Sequence, residues 1–224
     1  MTKTLQIDIW SDVMCPWCAI GFAQLKKGLD LISDEVTAEI RWHPFELDPE
    51  MVPEGKSQDS YLAEKYGRSP AEMVAARLKL HEVGERAGFS FAYAGRGSPP
   101  EAMTWNTLLA HKLLLWTLGT AGPAAQTQLK EALFEAHFRY RRNMADLDVL
   151  LDIAEAQGLD RAAAEDALVD PDLTLAVHEE EYHAQTMQIT GVPAMVVEGK
   201  YLISGAHEPQ VYADALRRVA AQAG

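Results

Sequence analysis

Cysteine is scarce in this chain, with only Cys15 and Cys18 among 224 residues. One pair allows one intramolecular bond, and a bridge that closes so short a loop removes little entropy from the unfolded chain. A disulfide scaffold is therefore excluded, and any bond between the two has chemical rather than structural value. Positive charge is also in deficit, 20 Lys and Arg against 33 Asp and Glu, for a formal net charge of −13. Nucleic acids and anionic membranes are engaged through clustered Lys and Arg, so neither is expected as a partner. Long apolar runs are missing too. The longest, around Leu113 to Trp116, falls far short of the roughly 20 residues that span a bilayer. Met1-Thr2-Lys3-Thr4 leads straight into an alternating pattern, without the charged, apolar and small-residue regions of a secretory leader, and the expectation is a cytoplasmic protein. Apolar residues make up 48% of the chain, enough for one large domain or for a small domain with an insertion.

Leu5, Ile7 and Ile9 alternate with Gln6, Asp8 and Trp10, the period of a strand with one buried face. Ser11 to Met14 connects this strand to a helical pattern from Pro16 to about Leu31, with proline at the first position, where its missing N–H costs nothing. A second alternating stretch, Val36 to Trp42, ends at His43-Pro44. If the two strands are parallel, the helix between them is a right-handed crossover. From about Asp59 to Leu173 the strand signal disappears. Helices are expected over Ser60 to Tyr66, Pro70 to Ala87, Thr104 to Leu118, Ala124 to Arg142, Asp148 to Gln157 and Arg161 to Val169, separated by Gly, Pro and Asn turn signals. Another helix is expected from Asp172 to about Gln188. Strands at Ala194 to Glu198 and Tyr201 to Ser204 then flank a Gly199-Lys200 hairpin turn, and a last helix covers Pro209 to Ala221.

Cys15-Pro16-Trp17-Cys18, directly after a strand and opening a helix, is the context in which this spacing reads as a redox motif. A helix N-terminus favours thiolate at the first sulfur, and one turn later the second sulfur can resolve a mixed disulfide made by the first. Cys15 is thus expected to attack and Cys18 to resolve. Two other readings stay open, an inert buried pair and half of a zinc site. Zinc would need two further ligands. Only His178 and His183 have a suitable spacing, and on a helix they lie about 140° apart around the axis. No metal is expected. Asp12 has two readings, a proton relay or turn chemistry at a strand end. Met14, Met187 and Met195 are read either as a soft apolar surface or as core.

The run Ser11 to Gly21, with Trp42-His43-Pro44-Phe45-Glu46-Leu47, Thr190-Gly191-Val192-Pro193-Ala194-Met195 and Tyr201 to Ala206, resembles the DsbA-like thioredoxin superfamily, specifically its FrnE-like branch. The resemblance implies an α/β thioredoxin-like fold, a central mixed sheet flanked by helices, with a large all-helical insertion. Residues 1–58 and 174–224 would form the thioredoxin-like domain and 59–173 the insertion. It implies a thiol-disulfide oxidoreductase that exchanges with protein or low-molecular-weight thiols. Cys15 and Cys18 would be catalytic, and Pro16, Trp17, Val192, Pro193 and Asp12 would support them, with a cis Val192-Pro193 bond beside which a substrate segment could pair as an added strand. Trp105, Asn106 and His111 are candidates for the substrate cleft, His111 being equally readable as a packed helix residue. No cofactor is expected beyond the redox-active cysteine pair, with glutathione a possible substrate or ligand, and the oligomer would be a monomer or homodimer. Because Pro16-Trp17 lacks the histidine of the DsbA motif, the couple is expected to be less oxidising than DsbA. Related glutathione-dependent isomerases and kappa-class glutathione transferases offer a second reading. They generally carry serine at the attacking position, which Cys15 argues against. A holdase that no longer turns over is a third.

Overall fold

The computed structural model describes residues 2–222. Met1, Ala223 and Gly224, at the outer edges of the expected thioredoxin-like segments, lie outside the described residues. In chain order the elements are β1 (Lys3–Ser11), α1 (Pro16–Asp30), β2 (Val36–Pro44), β3 (Lys56–Ser57), α2 (Gln58–Tyr66), α3 (Pro70–Ala87), β4 (Met103–Thr104), α4 (Leu108–Phe138), α5 (Leu147–Ala156), α6 (Arg161–Val169), α7 (Pro171–Thr186), β5 (Ala194–Val197), β6 (Tyr201–Ser204) and α8 (Pro209–Gln222). The main sheet runs β2-β1-β5-β6. Strand β1 pairs parallel with β2, from Lys3 opposite Val36 to Ser11 opposite Pro44, so α1 is the crossover that two parallel neighbours require. On its other side β1 pairs antiparallel with β5, from Ile7 opposite Val197 to Trp10 opposite Ala194. The β5-β6 hairpin completes a mixed α/β sheet of thioredoxin type. Among the described residues no helix is long and apolar enough to cross a membrane.

The alternation in β1 sorts its side chains onto two covered faces. Leu5, Ile7 and Ile9 pack with Phe22 and Leu25 of α1 and with Tyr212, Leu216 and Val219 of α8. Trp10 points the other way, onto Ala184 of α7 and Ile189. Helices α1 and α8 touch closely at Gly28, where a Cβ would sit 2.8 Å from the Pro209 carbonyl oxygen and 2.9 Å from Tyr212 Cβ. Any larger residue there must push the helices apart.

The central segment departs from the sequence reading in four places. Strand is not absent between 59 and 173, because Met103 and Thr104 pair antiparallel with Ser57 and Lys56. The helix expected from Thr104 begins only at Leu108, after the Asn106 side chain accepts a bond from the Leu108 N–H at 3.0 Å and holds the backbone in a turn. The helices expected over 104–118 and 124–142 lie end to end in α4, where non-helical Gly122 (φ 83, ψ 178) ahead of Pro123 makes a kink rather than a loop. Helix α4 stops at Phe138, since Arg141 turns left-handed (φ 52) and the Arg142 N–H closes back on the Ala136 carbonyl.

Strands and helices are tied at His43. Its Nδ1 lies 2.8 Å from Glu180 Oε2 of α7, its Nε2 3.0 Å from Asp8 Oδ1 of β1, and its ring stacks on Trp10 at 4.4 Å. Burial opposes charge on this imidazole, yet the hydrogen bonds and charges of Asp8 and Glu180 outweigh it and raise its pKa to about 9. The same contacts overcome burial at Asp8 and pull both carboxylates below their usual range.

A group held above its unfolded pKa stabilises fully below that unfolded value, 6.5 here, and loses its contribution as pH rises through about 9. The two carboxylates behave oppositely, contributing above their ordinary range and losing it as pH falls through their lowered values. The clasp is therefore complete in mildly acidic solution. Urea denaturation at rising pH should show wild type losing about 3 kcal/mol through this alkaline step, a loss missing from His43→Gln. Equal pH slopes in the two proteins would refute the clasp.

Candidate active site

Strand β1 ends beneath a short turn, and the turn is built by Asp12. Its Oδ1 accepts the Met14 N–H at 3.1 Å and its Oδ2 the Leu47 N–H at 2.8 Å, so one buried carboxylate joins the β1–α1 connection to the segment after β2. Of the two readings of Asp12, turn chemistry is what these bonds display. The Cys15 N–H donates to the Asp12 carbonyl at 3.2 Å, and the Cys15 carbonyl accepts from Cys18 N–H at 3.0 Å and from Ala19 N–H at 3.4 Å. Cys15 is the N-cap of α1, with Pro16 in its first turn. Both sulfurs are thiols, Cys15 at 4% exposure and Cys18 at 1%. Trp17 stands out at 46%, the exposed aromatic of the motif.

Opposite the thiols lies the loop before β5. The Val192–Pro193 bond is cis, and the Val192 carbonyl accepts from the Cys15 thiol at 3.7 Å. Gly21 allows this approach, since a Cβ there would lie 3.1 Å from Pro193 Cγ. The Pro193 carbonyl is held by the Gly205 N–H at 2.8 Å.

Helix dipole and burial compete at the thiols. Contact with the neighbouring Cys18 sulfur and burial hold Cys15 well above the ordinary thiol range. Cys18 is pulled below it, because its polar neighbours Cys15 and Ser11 and the charge of Lys130 outweigh burial. Two thiols in such contact titrate as a unit, giving up one proton readily and the second with difficulty. One thiolate charge is thus held by the two sulfurs as a unit.

Trp105 is half-buried against the helical core that holds Val13 and Met14, and its backbone N–H donates to Met14 Sδ. Asn106 donates to Glu46 Oε2 and to the Pro49 carbonyl, each at 3.4 Å. His111 is 1% exposed and lies behind Asp12, with its Nε2 3.8 Å from Asp12 Oδ1 and otherwise unpartnered. Burial and the charge of Lys130 hold it well below the usual histidine range, so of its two readings the packed one describes its position. Met14 and Met195 are core, and Met187 packs against it. His178 and His183 lie on α7, and among the described residues no group of three or more His, Cys, Asp or Glu is placed to hold a metal ion.

Two residues at this centre escaped the sequence reading. Glu46 lines a cavity of about 310 Å3 with Phe45, Glu181 and Thr190. Burial and the nearby charges of Glu181 and Asp12 push its pKa to about 7. Lys130, from α4, is completely buried beneath the thiols, donates to the Ser11 carbonyl at 3.4 Å, and lies 5.2 and 5.0 Å from the Trp42 and Phe134 rings. One signal did point to it. Gln126, Leu129, Lys130, Leu133, Phe134 and His137 follow the spacing of a buried helical face, and Lys130 is the one lysine or arginine in that row.

A parallel βαβ unit, an antiparallel hairpin added beyond it and two thiols at the head of the crossover helix make this a thioredoxin-fold protein of the dithiol class. The chain belongs to the family of DSBA-like thioredoxin domains, whose sequence model matches residues 6–217. It is similar to a crystal structure described as a probable DsbA oxidoreductase, SCO1869 from Streptomyces coelicolor, with 28% identity, a TM-score of 0.82, and 96% of this chain and 89% of that one covered. A relative called uncharacterized protein YwbO, from Bacillus subtilis, is 25% identical over 221 residues, 95% of this chain and 96% of that protein. The fold extends to a 2-hydroxychromene-2-carboxylate isomerase, at 17% identity, a TM-score of 0.70 and 97% coverage of both chains.

Removing the Asp12 carboxylate strands two backbone N–H groups. Asp12→Ala should cost on the order of 3 kcal/mol in urea denaturation, with Asp12→Asn, which keeps one acceptor oxygen, losing less. A cost below about 1 kcal/mol for the alanine variant would show that water replaces the carboxylate.

Proposed function

We propose that this protein is a thiol-disulfide oxidoreductase that exchanges through Cys15 and resolves through Cys18, with a protein or a low-molecular-weight disulfide such as glutathione disulfide as partner. The observation that carries the reading is the asymmetry of the pair. Cys15 is the outer sulfur, beside the Val192 carbonyl and the exposed Trp17, while Cys18 is sealed behind it. A foreign sulfur approaching past Trp17 meets the first before the second.

The chemistry follows from the shared proton. With the pair singly ionised, the state that reacts is the one with the charge on the outer sulfur, Cys15, and the remaining proton on Cys18. The Cys15 thiolate then attacks one sulfur of the partner disulfide; a Cys15–partner bond forms, the partner S–S bond breaks, and the other partner sulfur leaves with the electron pair and takes up a proton supplied from outside the pair. Cys18, losing its proton, attacks Cys15; the Cys15–Cys18 bond forms and the second partner sulfur departs as a thiol. Two electrons have passed to the partner. The reverse sequence oxidises a partner dithiol. Neither direction calls for a resident cofactor, and Trp17 and the Val192 backbone supply an apolar and a hydrogen-bonding edge for the partner segment.

With Cys18→Ser the second step is missing, so a mixed disulfide on Cys15 should accumulate and be recovered by mass spectrometry after exposure to glutathione disulfide or a cell extract. Cys15→Ser should reduce turnover of glutathione disulfide or insulin at least about a hundredfold. Turnover by Cys15→Ser within about twofold of wild type, or two native thiols inert to alkylating reagents, would overturn the reading.

A further inference from the structure

We infer that Lys130, reaching down from α4, is the counter-charge of the Cys15–Cys18 couple, keeping its proton while the pair is reduced and giving it up when the pair closes to a disulfide. The inference rests on the oxidoreductase reading above and assigns a positioning residue that acts through the thiols without touching the partner.

An ammonium carries three donors, and among the described residues Lys130 has one long hydrogen bond, to the Ser11 carbonyl at 3.4 Å. The rings of Trp42 and Phe134 offer a face each, and such contacts return only part of what a buried charge loses by leaving water. Something else must hold the cation. The charged and titratable groups facing it are Cys18 and Cys15 from the first turn of α1, Asp12 from the β1–α1 turn, and His111 from α4 itself. His111 is neutral, so the supports are the Asp12 carboxylate and the thiolate. Burial lowers the amine to about 8, against the upward pull of Cys18, Asp12 and Cys15. Packing offers no rival explanation, since a methionine would fill the same apolar row without the desolvation cost.

Closing the disulfide removes the thiolate and leaves Asp12 as the remaining anion. Starting from a thiol, a thiolate and a Lys130 ammonium, reaction with a partner disulfide forms the Cys15–Cys18 bond, breaks the partner bond and passes two electrons to the partner sulfurs. These need two protons to become thiols. One comes from the Cys15–Cys18 pair and the other from Lys130, which ends as a neutral amine, so charge and protons balance. The cation thereby favours the reduced pair and makes the couple a stronger oxidant. It comes from the helical block, so a residue remote in sequence from the motif adjusts the motif's balance.

The wild-type protein, specifically 13C-labelled at lysine, should show the Lys130 side chain titrating at lower pH when oxidised than when reduced. In glutathione redox buffers, Lys130→Met should shift the equilibrium of the pair toward disulfide by about tenfold, or about 30 mV. Lys130→Arg, which keeps the charge, should recover most of that shift, and the ultraviolet thiolate signal near neutral pH should fall in the methionine variant. Identical titration of Lys130 in both redox states, or an unshifted Lys130→Met equilibrium, would overturn the inference alone. A wild-type pair that never equilibrates with glutathione or a dithiol would overturn the oxidoreductase reading, and the inference with it.

Discussion

The antiparallel pairing of Trp10 with Ala194 is the constraint on which the rest depends. It sets the C-terminal end of β1 beside the start of β5, so the thiol-bearing turn after Ser11 and the loop ending in Pro193 must face each other. Side chains alternate along a strand, so slipping this register by one residue would reverse every one of them. Ile7 and Ile9 would leave the α1–α8 core, and Trp10 would leave α7. Burial of both faces therefore specifies the register, and the register delivers the Val192 carbonyl to Cys15 at 3.7 Å. The chemistry depends on hydrophobic sorting nearly 180 residues away along the chain.

Beneath that junction the protein keeps a layer of polar groups inside an apolar shell. Asp12, Lys130, His111 and Ser11 are all at or below 1% exposure. Buried polar groups survive by pairing, and here the pairing is uneven. Asp12 is well satisfied by two backbone N–H groups, while His111 Nε2 has no hydrogen bond and Lys130 has one long one. The well-bonded member builds the turn, and the under-bonded members leave electrostatic freedom that a thiolate can use. Stability is given up locally, and elsewhere features such as the His43 clasp to Asp8 and Glu180 add to it.

Much of this was legible in the sequence where a local pattern has one physical meaning. The period-two runs at Leu5 to Ile9 and Val36 to Trp42, proline after Cys15, and the Gly199-Lys200 turn each dictate a conformation, and the mixed sheet follows from them. The middle of the chain was harder. Gly122-Pro123 is an equally good signal for a loop or for a kink, and only the packing of α4 across β2 decides between them. Asn106 ends one segment and starts another through a single side-chain bond that periodicity does not register. Lys130 was hidden because a lysine on a helix is ordinarily solvated, and what makes it unusual is the partner β1–α1 turn, more than a hundred residues distant. Glu46 acquires its high pKa from burial and from the charges of Glu181 and Asp12, an environment that only the tertiary fold supplies.

The active-site segment is also where the hydrophobic clusters meet. Trp10 belongs to the cluster against α7, Val13 and Met14 to the helical core, Cys15, Cys18 and Ala19 to the sheet core, and Ile20 to the small cluster with Ala87 and Phe91. A segment clamped by every surrounding cluster has little freedom to adjust, because close-packed interiors deform as wholes and not residue by residue. Thiol exchange benefits from such rigidity. The three sulfurs of a mixed-disulfide transfer must align, and a preorganised pair has less entropy to lose in reaching that alignment. Adaptation to different partners must then reside in what the clamp leaves outside, chiefly Trp17 and the edge of the Val192 loop. The same arrangement separates two layers, with the charges of Asp12 and Lys130 sealed within the fold and the exposed Trp17 on the surface above them.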